Sequence, residues 1–65
     1  MKEILTKYLK ATYRTYVEID YFNIFGSICE VKYYTDKEHY YSEKVNINIW
    51  EIVVFLYQES IKYSL

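Results

Sequence analysis

The sequence predicts an α+β domain of two layers. The element order is α-β-β-β-α, with a three-stranded antiparallel meander and both helices on one face of the sheet. Three observations predict it. Apolar residues recur at a helical period over residues 2–11 and again over 49–63. Between those stretches the period drops to two, the signature of half-buried strands. The interval between the first two alternating runs is short and holds Gly26, the only glycine in a chain that has no proline. A short connection joins antiparallel neighbours, since parallel strands need a long crossover.

The first helix rests on Ile4, Leu5, Tyr8 and Leu9, one stripe of a 3.6-residue period. Glu3 near its start and Lys7 and Lys10 near its end suit the helix dipole. From Tyr13 the alternation begins. Tyr13, Thr15, Val17, Ile19 and Tyr21 share one side, and Arg14, Tyr16, Glu18, Asp20 and Phe22 the other. The second strand sets Cys29, Val31 and Tyr33 against Ile28, Glu30, Lys32 and Tyr34. Between them, Asn23-Ile24-Phe25-Gly26 reads as a type I turn followed by a left-handed residue, a three-residue loop with a G1 bulge. That register pairs Tyr21 with Cys29, Ile19 with Val31 and Val17 with Tyr33, which sends Tyr21 inward and Phe22 outward. A two-residue loop at Gly26-Ser27 is the rival. It pairs Tyr21 with Lys32 and Ile19 with Tyr34 and so mixes the faces, which disfavours it because register follows the buried face. The adopted register leaves Asp20 opposite Glu30, a repulsive pair.

Asp36-Lys37-Glu38-His39 reads as a polar turn, and residues 40–47 as a third strand. Pairing Tyr33 with Tyr41 brings Val45 to Cys29 and Tyr40 to Tyr34. It sets Lys44 beside Glu30 and Glu43 on the inner face. Asn48 then caps the last helix, and Glu51 three residues on completes a capping-box pattern. Over residues 49–63 the predicted buried face carries Ile49, Ile52, Val53, Leu56, Tyr57 and Ser60. Phe55 is stranded among polar neighbours. The β-branched run Ile52-Val53-Val54 also fits a strand, but cap and periodicity favour a helix.

Size and composition bound the function. Sixty-five residues make one domain, residues 1–65. So small a fold needs a staple, a partner or a dense core. One cysteine excludes an internal disulfide, and one cysteine with one histidine excludes a Cys/His zinc cluster. Hydrophobic residues at 52% and aromatics at 22% supply core material and argue against disorder. The longest apolar run, 52–57, is too short to span a bilayer. Charges at Lys2, Glu3, Lys7 and Lys10 interrupt any signal-peptide core. These features predict a cytoplasmic protein with no membrane association.

Nothing points to catalysis. Cys29 and His39 fall at opposite ends of a strand, and Cys29 reads as a buried apolar thiol. Asp20 with Glu30 could be a carboxylate pair, but it reads more readily as a solvated blemish or as a patch that meets a basic partner. There is no phosphate loop, nucleophile elbow or metal-spaced set, so the expectation is no enzyme, no cofactor and no metal. A net charge of −1 argues against phosphate-driven binding. An exposed sheet face bearing Tyr16, Phe22, Tyr34 and Tyr40 could still stack single-stranded bases, although Glu18, Asp20 and Glu30 share that face.

The element order resembles the double-stranded-RNA-binding domain over the whole chain. That family places a lysine cluster at the start of its last helix. The matching stretch here, Asn48-Ile49-Trp50-Glu51-Ile52, has no base, so the resemblance implies topology and not RNA binding. In general type, a tiny Tyr/Ile/Lys-rich chain without catalytic residues also resembles phage and mobile-element products. Many of those are stoichiometric inhibitors of a host protein, anti-CRISPR proteins among them. The expectation is therefore a protein-binding module, an inhibitor or adaptor acting by occlusion. Its expected contact residues are Tyr16, Phe22, Ile28, Tyr34, Tyr40, Phe55, Asp20 and Glu30. The alternatives are a homodimer or a single-stranded nucleic-acid binder using the same aromatic face.

Overall fold

A computed structural model of the chain describes the backbone of residues 1–64 and the side chains of residues 1–62. The order is α1 (Lys2–Tyr13), β1 (Glu18–Phe25), β2 (Ile28–Tyr34), β3 (Ser42–Asn48) and α2 (Ile49–Ser64). The strands form one antiparallel sheet in the order β1-β2-β3. This is the predicted α+β fold.

Helix α1 runs two residues past its expected end because nothing in Ala11-Thr12-Tyr13 breaks it. It stops at Arg14, which takes the left-handed conformation at φ 53° and donates its N–H to the Lys10 carbonyl at 2.9 Å. That is a helix cap of the kind glycine usually provides, here made by an arginine. Tyr13, expected to open the first strand, instead ends the helix and stacks on Tyr33 at 6.3 Å between ring centres.

The hairpin corrects the expected register. Phe25 pairs with Ile28, Ile24 with Cys29, Phe22 with Val31 and Tyr21 with Lys32. The loop is therefore Gly26-Ser27, two residues long. Gly26 has φ 59° and Ser27 does not share the positive sign, the type II′ pattern with glycine first. The face-mixing that disfavoured this loop is removed by a bulge at Asp20. Beyond it Ile19 pairs with Tyr33 and Glu18 with Tyr34. One extra residue flips the parity of the strand, so Ile19 and Phe22 both face inward. Phe22 is thus half-buried against the core, and Tyr21 is exposed, the reverse of the expectation.

Strand β3 lies two residues away from its expected register. Val31 pairs with Val45, Cys29 with Ile47, Tyr33 with Glu43 and Lys32 with Lys44. A shift of two keeps every side chain on its expected face. Tyr40 is not in the strand. The polar turn takes it and Tyr41, whose N–H groups donate to the two Asp36 carboxylate oxygens at 2.9 and 2.8 Å. His39 sits in this turn at φ 63°.

The inner face of the sheet now reads in rows: Ile24-Cys29-Ile47, Phe22-Val31-Val45 and Ile19-Tyr33-Glu43. The core joins Val17, Ile19, Cys29, Val31, Tyr33 and Ile47 to Leu5 and Leu9 of α1 and Ile52 of α2. Both helices therefore cover this one face. Helix α2 is rotated from the expected orientation. Ile52 is buried and Ile49 and Phe55 are half-buried, while Val53, Leu56 and Tyr57 are exposed. Phe55 is not stranded. It meets Tyr8 of α1 edge to face at 5.6 Å, a favoured aromatic geometry.

Candidate functional site

The sheet's outer face is the first surface left open, since among the described residues neither helix joins it. Its rows are Phe25-Ile28-Asn48, Asn23-Glu30-Asn46, Tyr21-Lys32-Lys44 and Glu18-Tyr34-Ser42. Apolar Phe25 and Ile28 hold one end, charges hold the middle, and Glu18 with Tyr34 holds the other end.

The charged middle follows from the corrected register. Glu30 lies opposite Asn23 and Asn46, so the expected Asp20–Glu30 repulsion does not arise. Instead two lysines face each other across β2 and β3. Each is neutralised by a diagonal carboxylate, Lys44 by Glu30 at 3.4 Å and Lys32 by Asp20 at 3.9 Å. The bulge that restores the inner face also delivers Asp20 to Lys32. Such exposed pairs add little stability. Their consequence is that the middle of the sheet presents paired charge instead of a basic surface.

At the far end, Glu18 is shared. It accepts from the Tyr16 hydroxyl at 2.8 Å and pairs with the His39 imidazole. His39 in turn stacks flat on Tyr34, with ring centres 4.1 Å apart and planes 9° from parallel. The hydrogen bond to Glu18 pushes the Tyr16 phenol above its ordinary value. Two of the expected contact residues, Tyr16 and Tyr34, are thus engaged within the chain. Tyr40 is 82% exposed but belongs to the turn. Phe22 lies on the opposite face and Phe55 lies between the helices, so the eight residues do not form one surface.

At the hairpin end large apolar side chains are open, Phe25 and Ile28 on the outer face and Ile24 on the inner. Phe25 is 63% exposed, Ile24 48%, Tyr21 39% and Ile28 37%. The tip is held rigidly, because the Ser27 carbonyl accepts the Ile49 N–H at 2.8 Å. The next residue is also fixed: the Asn48 side chain accepts the Trp50 N–H at 2.9 Å, the predicted cap. Glu51 leaves the capping box and instead accepts from the Tyr8 hydroxyl at 3.0 Å. Burial, with that bond, raises the Tyr8 phenol. Sequence reasoning missed Phe25 because the assumed loop placed it inside the turn. An aromatic next to the glycine of a two-residue hairpin was the available signal.

A third feature is an open groove of about 620 Å³ between α1 and α2, lined by Lys7, Lys10, Ala11, Phe55, Leu56, Glu59 and Ser60. Its wall is largely apolar, and it holds no histidine, cysteine or second carboxylate to act with Glu59. Cys29 is fully buried, and burial raises its thiol. Among the described residues no polar or charged side chain is buried, and none of the His, Cys, Asp and Glu groups cluster as metal ligands do. No helix among them is long and apolar enough to cross a membrane.

Comparison with known proteins finds no matching family model, no matching curated protein and no matching solved structure. The site's meaning therefore rests on its own chemistry.

Proposed function

We propose that the protein is a non-catalytic protein-binding module, an inhibitor or adaptor that works by occluding its partner. The observation that carries this reading is the hairpin end. Phe25 and Ile28 project there on the outer face and Ile24 on the inner, flanking a turn whose backbone is tied to the start of α2. Exposed apolar groups on a rigid support, beside a polar and charged surface, are the usual composition of an interface hot spot. Pre-organisation lowers the ordering cost of binding. The charge-paired middle of the sheet extends the contact toward a partner with a mixed polar surface. It disfavours a nucleic acid, since Lys32 and Lys44 already face carboxylates. The partner expected is a protein presenting an apolar pocket.

Affinity purification from the native host, with mass spectrometry, identifies that partner. Phe25→Ala with Ile28→Ala then tests the surface. Both side chains lie outside the core, so circular dichroism should be unchanged while capture falls at least about tenfold, as for an interface hot spot. Capture that survives the double substitution rules out the hairpin end.

A further inference from the structure

Helix α2 is apolar on two sides, and the core accounts for one of them. Opposite Ile52, the residues Trp50, Val53, Val54, Tyr57 and Ile61 form a second stripe. Their exposures are 69, 45, 52, 66 and 44%. A helix that is hydrophobic all round is normally buried on all sides. Trp50, Val54, Tyr57 and Ile61 are spaced four, three and four residues apart, the 3.5-residue repeat of a coiled-coil seam.

We propose that this stripe is a homodimer seam, and that α2 pairs antiparallel with α2 of a second copy. Self-complementarity points to that occupant. In a two-fold antiparallel register Trp50 lies opposite the second copy's Ile61, and Val54 opposite its Tyr57. Each large ring meets a β-branched aliphatic, and the two-fold axis repeats both contacts. The parallel register instead stacks Trp50 on Trp50 and Tyr57 on Tyr57, and it aligns the helix dipoles unfavourably. The flanking positions carry Val53 and Ser60 on one side and Glu51 and Gln58 on the other. Antiparallel pairing brings Glu51 to Gln58, so no like charges meet.

The area also fits. Aromatic side chains bury 150–250 Å² each, so two rings about two-thirds exposed plus three half-exposed aliphatics offer roughly 500 Å² per chain. Two copies can then bury up to roughly 1,000 Å² in total, which reaches the threshold of a specific interface. The seam shares no residue with the hairpin end, so a dimer carries two copies of that surface.

The test is sedimentation equilibrium of the full chain from low micromolar to near-millimolar concentration. It is followed in parallel by the emission of Trp50, the only tryptophan. A reversible dimer is expected, with emission shifting to the blue as Trp50 leaves water. Val54→Arg and, separately, Tyr57→Arg should each weaken the dimer at least about tenfold, the scale of a hot-spot loss. Neither residue belongs to the core, so the far-ultraviolet dichroism of dilute protein should not change. Under mild oxidation, Val54→Cys mixed with Tyr57→Cys should yield the mixed disulfide in preference to either self-cross-link. A wild-type chain that stays monomeric throughout, with emission independent of concentration, overturns the proposal. So does a dimer indifferent to both arginine substitutions. Preferential self-cross-linking of Val54→Cys overturns the antiparallel pairing. Partner capture by the hairpin end is expected to survive Val54→Arg, so failure of one proposal leaves the other distinguishable.

Discussion

Single residues set the backbone where the chain turns. Gly26 holds φ 59°, and a Cβ built there would meet nothing within 4 Å. Any substitution is therefore opposed by conformation and not by crowding. Gly26→Ala should cost about 1–2 kcal/mol, the left-handed penalty of a residue with a Cβ, read from urea unfolding. Asp36 organises the other turn by accepting two backbone N–H groups. Its partial burial raises the carboxyl pKa, but the bonds from Tyr40 and Tyr41, with the nearby His39, outweigh this and leave it lowered. A lowered carboxylate stabilises the fold above its unfolded pKa and loses that contribution as pH falls through its folded one. The urea midpoint should accordingly fall on acidification below the ordinary carboxylate range. Asp36→Asn should flatten that acid limb relative to the parent.

At the scale of the element, helix α2 makes the sharpest distinction. Phe55 packs on Tyr8, whereas Val53 has almost half its surface in water. Phe55→Ala should destabilise by about 2 kcal/mol, less than a fully buried phenylalanine because only part of the ring is covered. Val53→Ala should change stability by less than about 0.5 kcal/mol. Both are measured by urea unfolding in dilute protein. The helix itself was legible in the sequence, through the Asn48 cap and the 3.6-residue period. Its rotation was not, because α2 carries two apolar stripes and periodicity does not say which one the sheet receives. Tyr8 decided it, by meeting the Phe55 ring edge to face and donating its hydroxyl to Glu51, a tertiary fact. The order and faces of the strands were legible from alternation, and β3 slipped by two without changing face. The β1–β2 register was not, since a bulge leaves no mark in composition. Assuming an unbroken ladder forced the wrong loop and exchanged Tyr21 with Phe22. That exchange moved the candidate site, because Phe22 left the surface and Phe25 replaced it.

For the whole molecule, a core this small leaves much apolar surface outside. Among the described residues the largest fully buried side chains are Leu5, Leu9, Val31 and Cys29. Some aromatics stack internally, Tyr34 on His39 and Tyr13 on Tyr33, while others stand at open surfaces, Phe25 at the hairpin end, Tyr40 and Tyr41 in the polar turn, and Trp50 and Tyr57 on α2. The hairpin end and the outer stripe of α2 are the open surfaces proposed for partner capture and for self-association. Small domains gain stability from association in this way. The bulge at Asp20 has a consequence for how the gene can change. Losing a residue within a strand normally turns half of it inside out. At Asp20 the opposite holds: with that residue deleted, Tyr21 follows Ile19 directly and the ladder Ile19–Tyr33, Tyr21–Lys32 closes without a gap. The chain should therefore tolerate a deletion of Asp20, with cooperative unfolding retained, while deletion of the nearby Asn23 abolishes folding. β1 thus holds one position where the reading frame of its faces is already offset, and there the length of the chain is free to vary.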